Sequence, residues 1–228
     1  MSLSGEILDL RWVSGFENPK GLAVANGRLY VGDDDGMVEI DLESATIVSR
    51  HVPPDGGSAG FNDCTADPDG NIYVFCSRLG AIFRLHGGEF SSWVEFDLSQ
   101  TPGPNGLRAE AERLLLGGWS FRGADGESEV GHIATIRYAD KAASRLGSSP
   151  VCHIDGLEPD GFGGYTVTDW ATGDVLHVTA EGAATPIMKL NQGTADHEYL
   201  IEKGLLIIPL MKDDTVRAYA WAPQRRLR

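Results

Sequence analysis

The sequence predicts an all-β chain folded as a β-propeller of five blades, each of about four strands, with the last blade closed by the N-terminal strand. Three observations carry this expectation. A short polar motif followed by two apolar strands recurs five times, and the motifs fall at near-constant intervals. Glycine, at 29 of 228 residues, is well above the ~7% usual in globular proteins, as a turn-rich β chain requires. No helical stretch of useful length interrupts the pattern.

The first repeat starts at Pro19-Lys20-Gly21, turns at Asn26-Gly27 and continues through Leu29-Tyr30-Val31. The second starts at Phe61-Asn62-Asp63, turns at Asp69-Gly70 and continues through Ile72-Tyr73-Val74. The third starts at Pro104-Asn105-Gly106, with 114–116 as its second strand. The fourth starts at Ile154-Asp155-Gly156, with 165–167, and the fifth at Ala195-Asp196-His197, with 205–208. Third strands are expected at 37–42, 81–85, 131–138, 175–179 and 215–221. Fourth strands follow in the first four repeats, for example at 46–51 and 92–96.

Lys20, Asn62, Asn105, Asp155 and Asp196 then occupy equivalent positions, at intervals of 42, 43, 50 and 41 residues, the length of one four-stranded blade. The longer interval holds a Gly- and charge-rich loop at 123–131, which can protrude from the ring. The fifth repeat runs out of chain after its third strand, and residues 6–13 have alternating strand character without a partner; joining the two closes the ring and removes exposed edges. The whole chain, 1–228, reads as one domain. A β-sandwich has a similar strand count but does not call for polar motifs at constant spacing.

A net charge of −14 repels phosphate backbones and argues against nucleic acid as a partner. The basic tail at Arg225, Arg226 and Arg228 reads as a frayed terminus. No apolar run approaches the ~18 residues that span a membrane. The N-terminus lacks a signal-peptide pattern, so the expectation is a cytoplasmic protein, or a secreted one whose leader was removed. Cys64, Cys76 and Cys152 have no metal-type spacing and read as reduced, part-buried residues. Partners are expected to be a small-molecule substrate, with the chain a monomer or a dimer joined through sheet edges.

In a propeller the first strand of each blade lines the central channel, so the five polar positions converge. Two carboxylates and two amide carbonyls are hard oxygen donors suited to Ca²⁺, or to Zn²⁺ or Mn²⁺. The same residues can instead shape strand entry in a wet channel. Trp119, Asp169 and Trp170 end second strands near one mouth and are candidates to shape a substrate pocket, or to pack between blades. Asp33-Asp34-Asp35-Gly36 lacks the later Glu of a Ca²⁺ loop and reads as a hairpin turn. A Gly-x-Ser-x-Gly motif is absent.

Phe61-Asn62-Asp63, Asp67-Pro68-Asp69-Gly70, Gly103-Pro104-Asn105-Gly106 and Asp155-Gly156, in this order, resemble the senescence marker protein/gluconolactonase family of regucalcin-like lactonases. The resemblance covers most of the chain from Asn18 onward. It implies a channel-bound divalent cation, with Asn105 and Asp155 matching ligand motifs, Asn62 an Asn near metal and substrate, and Asp155 the general base. Family members have six blades, and the expected Glu ligand, two blades before the Asn-Asp motif, is absent with the first blade. In a five-membered ring Lys20 lies beside Asp196. Either its ammonium takes the cation's place, or it reaches out to the channel mouth and Asp196 replaces the missing Glu. The function implied is metal-dependent hydrolysis of small lactones or esters. The alternatives are a non-catalytic propeller that binds a small ligand or a protein, and an inactive truncated member.

Overall fold

The computed structural model describes residue 2 and residues 4–56, 60–97, 104–122 and 128–223, with backbone alone at 121, 122 and 128. The chain is all-β, five antiparallel sheets arranged as a propeller. Blade 1 is β1 (Leu22–Ala25), β2 (Arg28–Asp33), β3 (Gly36–Asp41) and β4 (Thr46–His51). Blade 2 is β5 (Phe61–Ala66), β6 (Ile72–Cys76), β7 (Ala81–His86) and β8 (Glu89–Glu95). Blade 3 is β9 (Pro104–Ala109), β10 (Arg113–Gly118), β13 (Ile133–Arg137) and β14 (Ala143–Arg145), with a small hairpin of β11 (Ser120–Arg122) and β12 (Ser128–Val130) inserted. Blade 4 is β15 (Ile154–Pro159), β16 (Tyr165–Asp169), β17 (Asp174–Val178) and β18 (Ala184–Lys189). Blade 5 has three strands, β19 (Glu198–Leu200), β20 (Leu205–Leu210) and β21 (Thr215–Ala220).

Local chemistry explains the hairpins. Asn26 and Gly27 both have positive φ, 52° and 74°, which a two-residue turn matched to strand twist needs and which Asn and Gly tolerate best. The Asp33–Gly36 pair closes the next hairpin, with Asp34 and Asp35 as its loop. Asp33 accepts the N–H groups of Glu17, Asn18 and Asp34 at 2.9, 2.5 and 2.9 Å, so this acidic run ties the entering chain to blade 1. The inserted hairpin occupies the expected protruding loop; its centre, 123–127, lies outside the described residues, as does the basic tail.

Apolar clusters fill four junctions. Met37 and Tyr30 meet Phe61 and Phe83 between blades 1 and 2, Tyr73 and Trp93 meet Leu114 and Leu116 between blades 2 and 3. Leu115 and Ile133 meet Ile154 and Val167 between blades 3 and 4, and Val175 meets Leu206 and Ile208 between blades 4 and 5. Strands β6 and β16, covered on both faces, are buried at every position. Cys64, Cys76 and Cys152 are free and buried. No helix of the described residues is long and apolar enough to cross a membrane.

One expectation fails. Residues 6–13 form no strand and do not complete blade 5. The segment is held elsewhere: Val13 and Phe16 pack on Val31, Val38 and Ile40 of blade 1, and Arg50 holds the Gly15 carbonyl. A strand without a hydrogen-bonded neighbour has nothing to stabilise it. Among the described residues no apolar cluster joins blade 5 to blade 1. Accordingly β20 alternates, with Leu206, Ile208 and Leu210 buried against blade 4 and Leu205, Ile207 and Pro209 only partly covered.

This one-sided packing sets an expected contrast in denaturant unfolding. Ile208→Ala should cost about 2–4 kcal/mol, because it opens a void in a filled junction. Val216→Ala, on the opposite face, should stay within about 0.5 kcal/mol. Equal costs would show that blade 5 is buried on both faces.

Candidate functional site

The inner strands do not run straight past the channel. In β5, three steps from Phe61 to Cys64 face two from Cys76 to Val74, and β15 repeats this between Ile154 and Leu157. In β9 the register shifts between Pro104 and Gly106, opposite Gly117 and Gly118. Blade 5 makes the same count, since the Ala195 N–H bonds the Pro209 carbonyl while Glu198 already faces Ile207. Each shift is a β-bulge, which frees a residue from the ladder and re-aims its side chain. The residues at the bulges are Asn62-Asp63, Asn105, Asp155-Gly156 and Asp196-His197.

Three of them join in a hydrogen-bonded row, and Asp63 and Asp196 bond to backbone N–H groups beside it. Asn62 Nδ2 donates to Asn105 Oδ1, and Asn105 Nδ2 donates to Asp155 Oδ1 at 2.6 Å. Asp63 accepts the Cys64 N–H at 2.7 Å and the Leu107 N–H at 2.5 Å. Asp196 in turn accepts the His197 N–H at 2.9 Å. Further along the channel, Arg108 pairs with Glu158 at 2.7 Å.

Space at the axis is scarce. A Cβ on Gly21 would strike Asp63, one on Gly106 the Asp155 carbonyl, and one on Gly156 the side chains of His197, Asp196 and Thr168. Three repeats therefore carry Gly where the second carries Asp63. His197 is buried, its Nε2 on Thr166 Oγ1 at 2.8 Å and its Nδ1 without a partner.

Electrostatics follow from burial. Burial first, then the charge of Asp196, push the Asp155 carboxyl up to about 7 against the opposing Asn105 hydrogen bond. Burial and Asp196 likewise raise Asp63 well above the ordinary range, and burial raises Asp196. Burial, then Arg108, lowers the His197 imidazole to about 3, so it stays neutral.

A cavity of about 980 Å³ opens onto this cluster, lined by Lys20, Asn62, Asp63, Asp155 and Asp196 among others. Lys20 turns outward: its Nζ lies 2.6 Å from Asp34 Oδ1 and 3.4 Å from the Phe61 carbonyl. Of the two alternatives for Lys20, the structure has the one at the channel mouth. Trp119, Asp169 and Trp170 are not brought to the cavity. The two Trp rings pack against each other at 6.0 Å, with His153 5.3 Å from Trp119. Asp169 caps a turn through the Ala171 and Thr172 N–H groups at 2.9 and 3.0 Å. A carboxylate engaged this way is spent on the backbone. Asp63, Arg108 and Glu158 were not expected at the site. The signal for Asp63 lay in the repeat, as an acid at a position where other repeats have Gly.

Among the described residues no three His, Cys, Asp or Glu side chains converge to hold a metal. The convergent set is instead two amides and a carboxylate, Asn62, Asn105 and Asp155, whose oxygens are hard donors. With Asp63 and Asp196 adding acidity nearby, the set fits a hard cation.

No protein-family model matches the chain, and no curated protein matches it. Solved structures do. A chain of the nidogen/laminin complex is 16% identical, over 90% of this chain and 80% of that one, with TM-score 0.67. A gluconolactonase from Xanthomonas campestris is 17% identical, over 84% and 68%, with TM-score 0.65. The calcium-binding protein regucalcin from Agrobacterium tumefaciens is 12% identical, over 83% and 67%, with TM-score 0.62. At these identities the likeness is one of fold alone, the β-propeller.

The raised carboxyls fix a pH dependence for the chelator-treated protein. Asp155 is protonated in the fold up to about 7 but ionises near 4 when unfolded, so its contribution is complete below about 4 and is lost as pH rises through 7. Unfolding free energy should therefore fall between these values, by about 4 kcal/mol at most from this group. Asp155→Asn should flatten the fall; an unchanged slope would contradict the assignment.

Proposed function

We propose that the chain hydrolyses a small lactone or ester at the channel cluster, with a divalent cation, Ca²⁺ foremost, as cofactor. The observation that carries this reading is the hydrogen-bonded row Asn62–Asn105–Asp155, whose Asn62 and Asp155 line the cavity beside a second acid, Asp196. The outward turn of Lys20 onto Asp34 supports it, since no ammonium competes for the cluster.

A cation held by the side-chain oxygens of Asn62, Asn105 and Asp155, with Asp196 in reserve for the absent Glu, would polarise a carbonyl at the floor. Asp155 Oδ1 takes the Asn105 amide, which orients the carboxylate and leaves Oδ2 to accept a proton from the attacking water. That proton passes to the alkoxide as the ring C–O bond breaks, and the product is a hydroxy acid. Asn105 Oδ1 accepts one N–H from Asn62 and keeps a second lone pair for the ion, while Asn105 Nδ2 stays on Asp155. Asp63 is anchored by two backbone N–H groups, and Asp196 by the His197 N–H.

Two measurements test the reading. Ca²⁺ in hundredfold excess over its Kd should raise the melting temperature by about 5–10 °C over chelator, and Asn105→Ala should remove most of that shift. Hydrolysis of γ-butyrolactone followed by pH-stat should fall at least ~100-fold in Asp155→Ala. Full activity in Asp155→Ala would remove it as the base. No ion shift and no turnover together would leave a non-catalytic ligand-binding propeller.

A further inference from the structure

The cavity that reaches the cluster is not a simple axial channel. Its walls are the facing sides of blade 1, with Leu22, Val24 and Leu29, and blade 5, with Ile207, Pro209 and Val216. This is the one junction among the described residues that no apolar cluster fills. Leu22 and Val24 are 60% and 62% exposed and Val216 is 49% exposed. The floor of the same space is Asn62, Asp155 and Asp196. An occupant meets acids and an amide at the floor, the Arg108–Glu158 pair further along the axis, and apolar side chains where blades 1 and 5 face each other. An inserted protein sheet would match the walls and strand the carboxylates. At about 980 Å³ the space lies at the upper end of small-ligand sites, not at the scale of a domain.

We infer that the cleft between blades 5 and 1 is the aliphatic-chain end of the ligand site, so that the preferred ligand is a neutral lactone or ester bearing an unbranched alkyl chain. The ring or ester carbonyl lies on the channel floor and the chain runs outward between Val24 and Val216. This rests on the hydrolase reading for the ligand's head group, while the chain-binding part stands on the cleft alone.

Binding is measured with lactams, which keep the ring and carbonyl but resist hydrolysis: the unsubstituted five-membered lactam and the same ring carrying a hexyl chain, by calorimetry on the full chain. The hexyl lactam is expected to bind at least tenfold more tightly. Val24→Asp and Val216→Asp should erase that preference without touching the floor, and the isosteric Val24→Thr and Val216→Thr should reduce it. Both valines are surface-exposed, and circular dichroism checks that each variant folds. Equal affinity of the two lactams overturns the inference, as does a hexyl preference that survives both Asp variants. So does a concentration-dependent dimer, by light scattering, that the Asp variants dissolve, because the face would then belong to a second copy. If γ-butyrolactone is hydrolysed and the hexyl chain adds nothing, only this inference falls. If the hexyl preference holds while no lactone is turned over, the cleft stands and the hydrolase reading falls.

Discussion

Negative charge confined at the ring axis is the constraint on which the rest of this structure depends. Asp63, Asp155 and Asp196 come from three blades, yet they line one space, Asp63 buried and the other two half-buried, and influence one another's ionisation. Buried carboxylates are costly unless they are protonated, hydrogen-bonded or matched by a cation. Here the protein supplies the first two remedies: carboxyls whose ionisation is pushed up in pH by burial, and N–H groups from Cys64, Leu107 and His197. Arg108, which lines the same cavity, is paired with Glu158.

The β-scaffold exists in a form that makes this convergence achievable. A bulge in each of the inner strands β5, β9 and β15 turns a polar residue out of the ladder and toward the axis. Gly at 21, 106 and 156 removes the side chains that would collide there. Behind the axis, four packed junctions hold the blades at fixed angles, so the polar row is positioned by apolar cores that take no part in chemistry. Rigidity behind a polar cluster is what a preorganised site requires. The fifth junction differs, and its openness gives the cluster a second route to solvent.

Much of this was legible in the residues. Constant spacing placed Asn62, Asn105, Asp155 and Asp196 together, because a repeat that closes around an axis must superpose equivalent positions. Turn chemistry at Asn26-Gly27 located the first hairpin, since few residues accept two successive positive φ angles. Three features were not legible. Alternation in residues 6–13 resembles a strand, but a strand also needs a partner edge, and the tethers from Arg50 and Asp33 to residues 15, 17 and 18 are three-dimensional facts. Trp119 and Trp170 end their strands where a pocket was expected, yet their rings pack against each other as a tilted pair. Asp169 was a candidate by type, but its carboxylate serves the turn that follows it.

The direction in which Lys20 points decides how the acidity at the axis is handled. Paired with Asp34, it leaves the three carboxyls to be relieved by protons or by an added cation. The most direct test is a carbon NMR titration of the Asp155 carboxyl in chelator-treated protein. The account requires a midpoint near 7, set by burial and the neighbouring Asp196. A midpoint near the ordinary ~3.9 of an aspartate in water would contradict it.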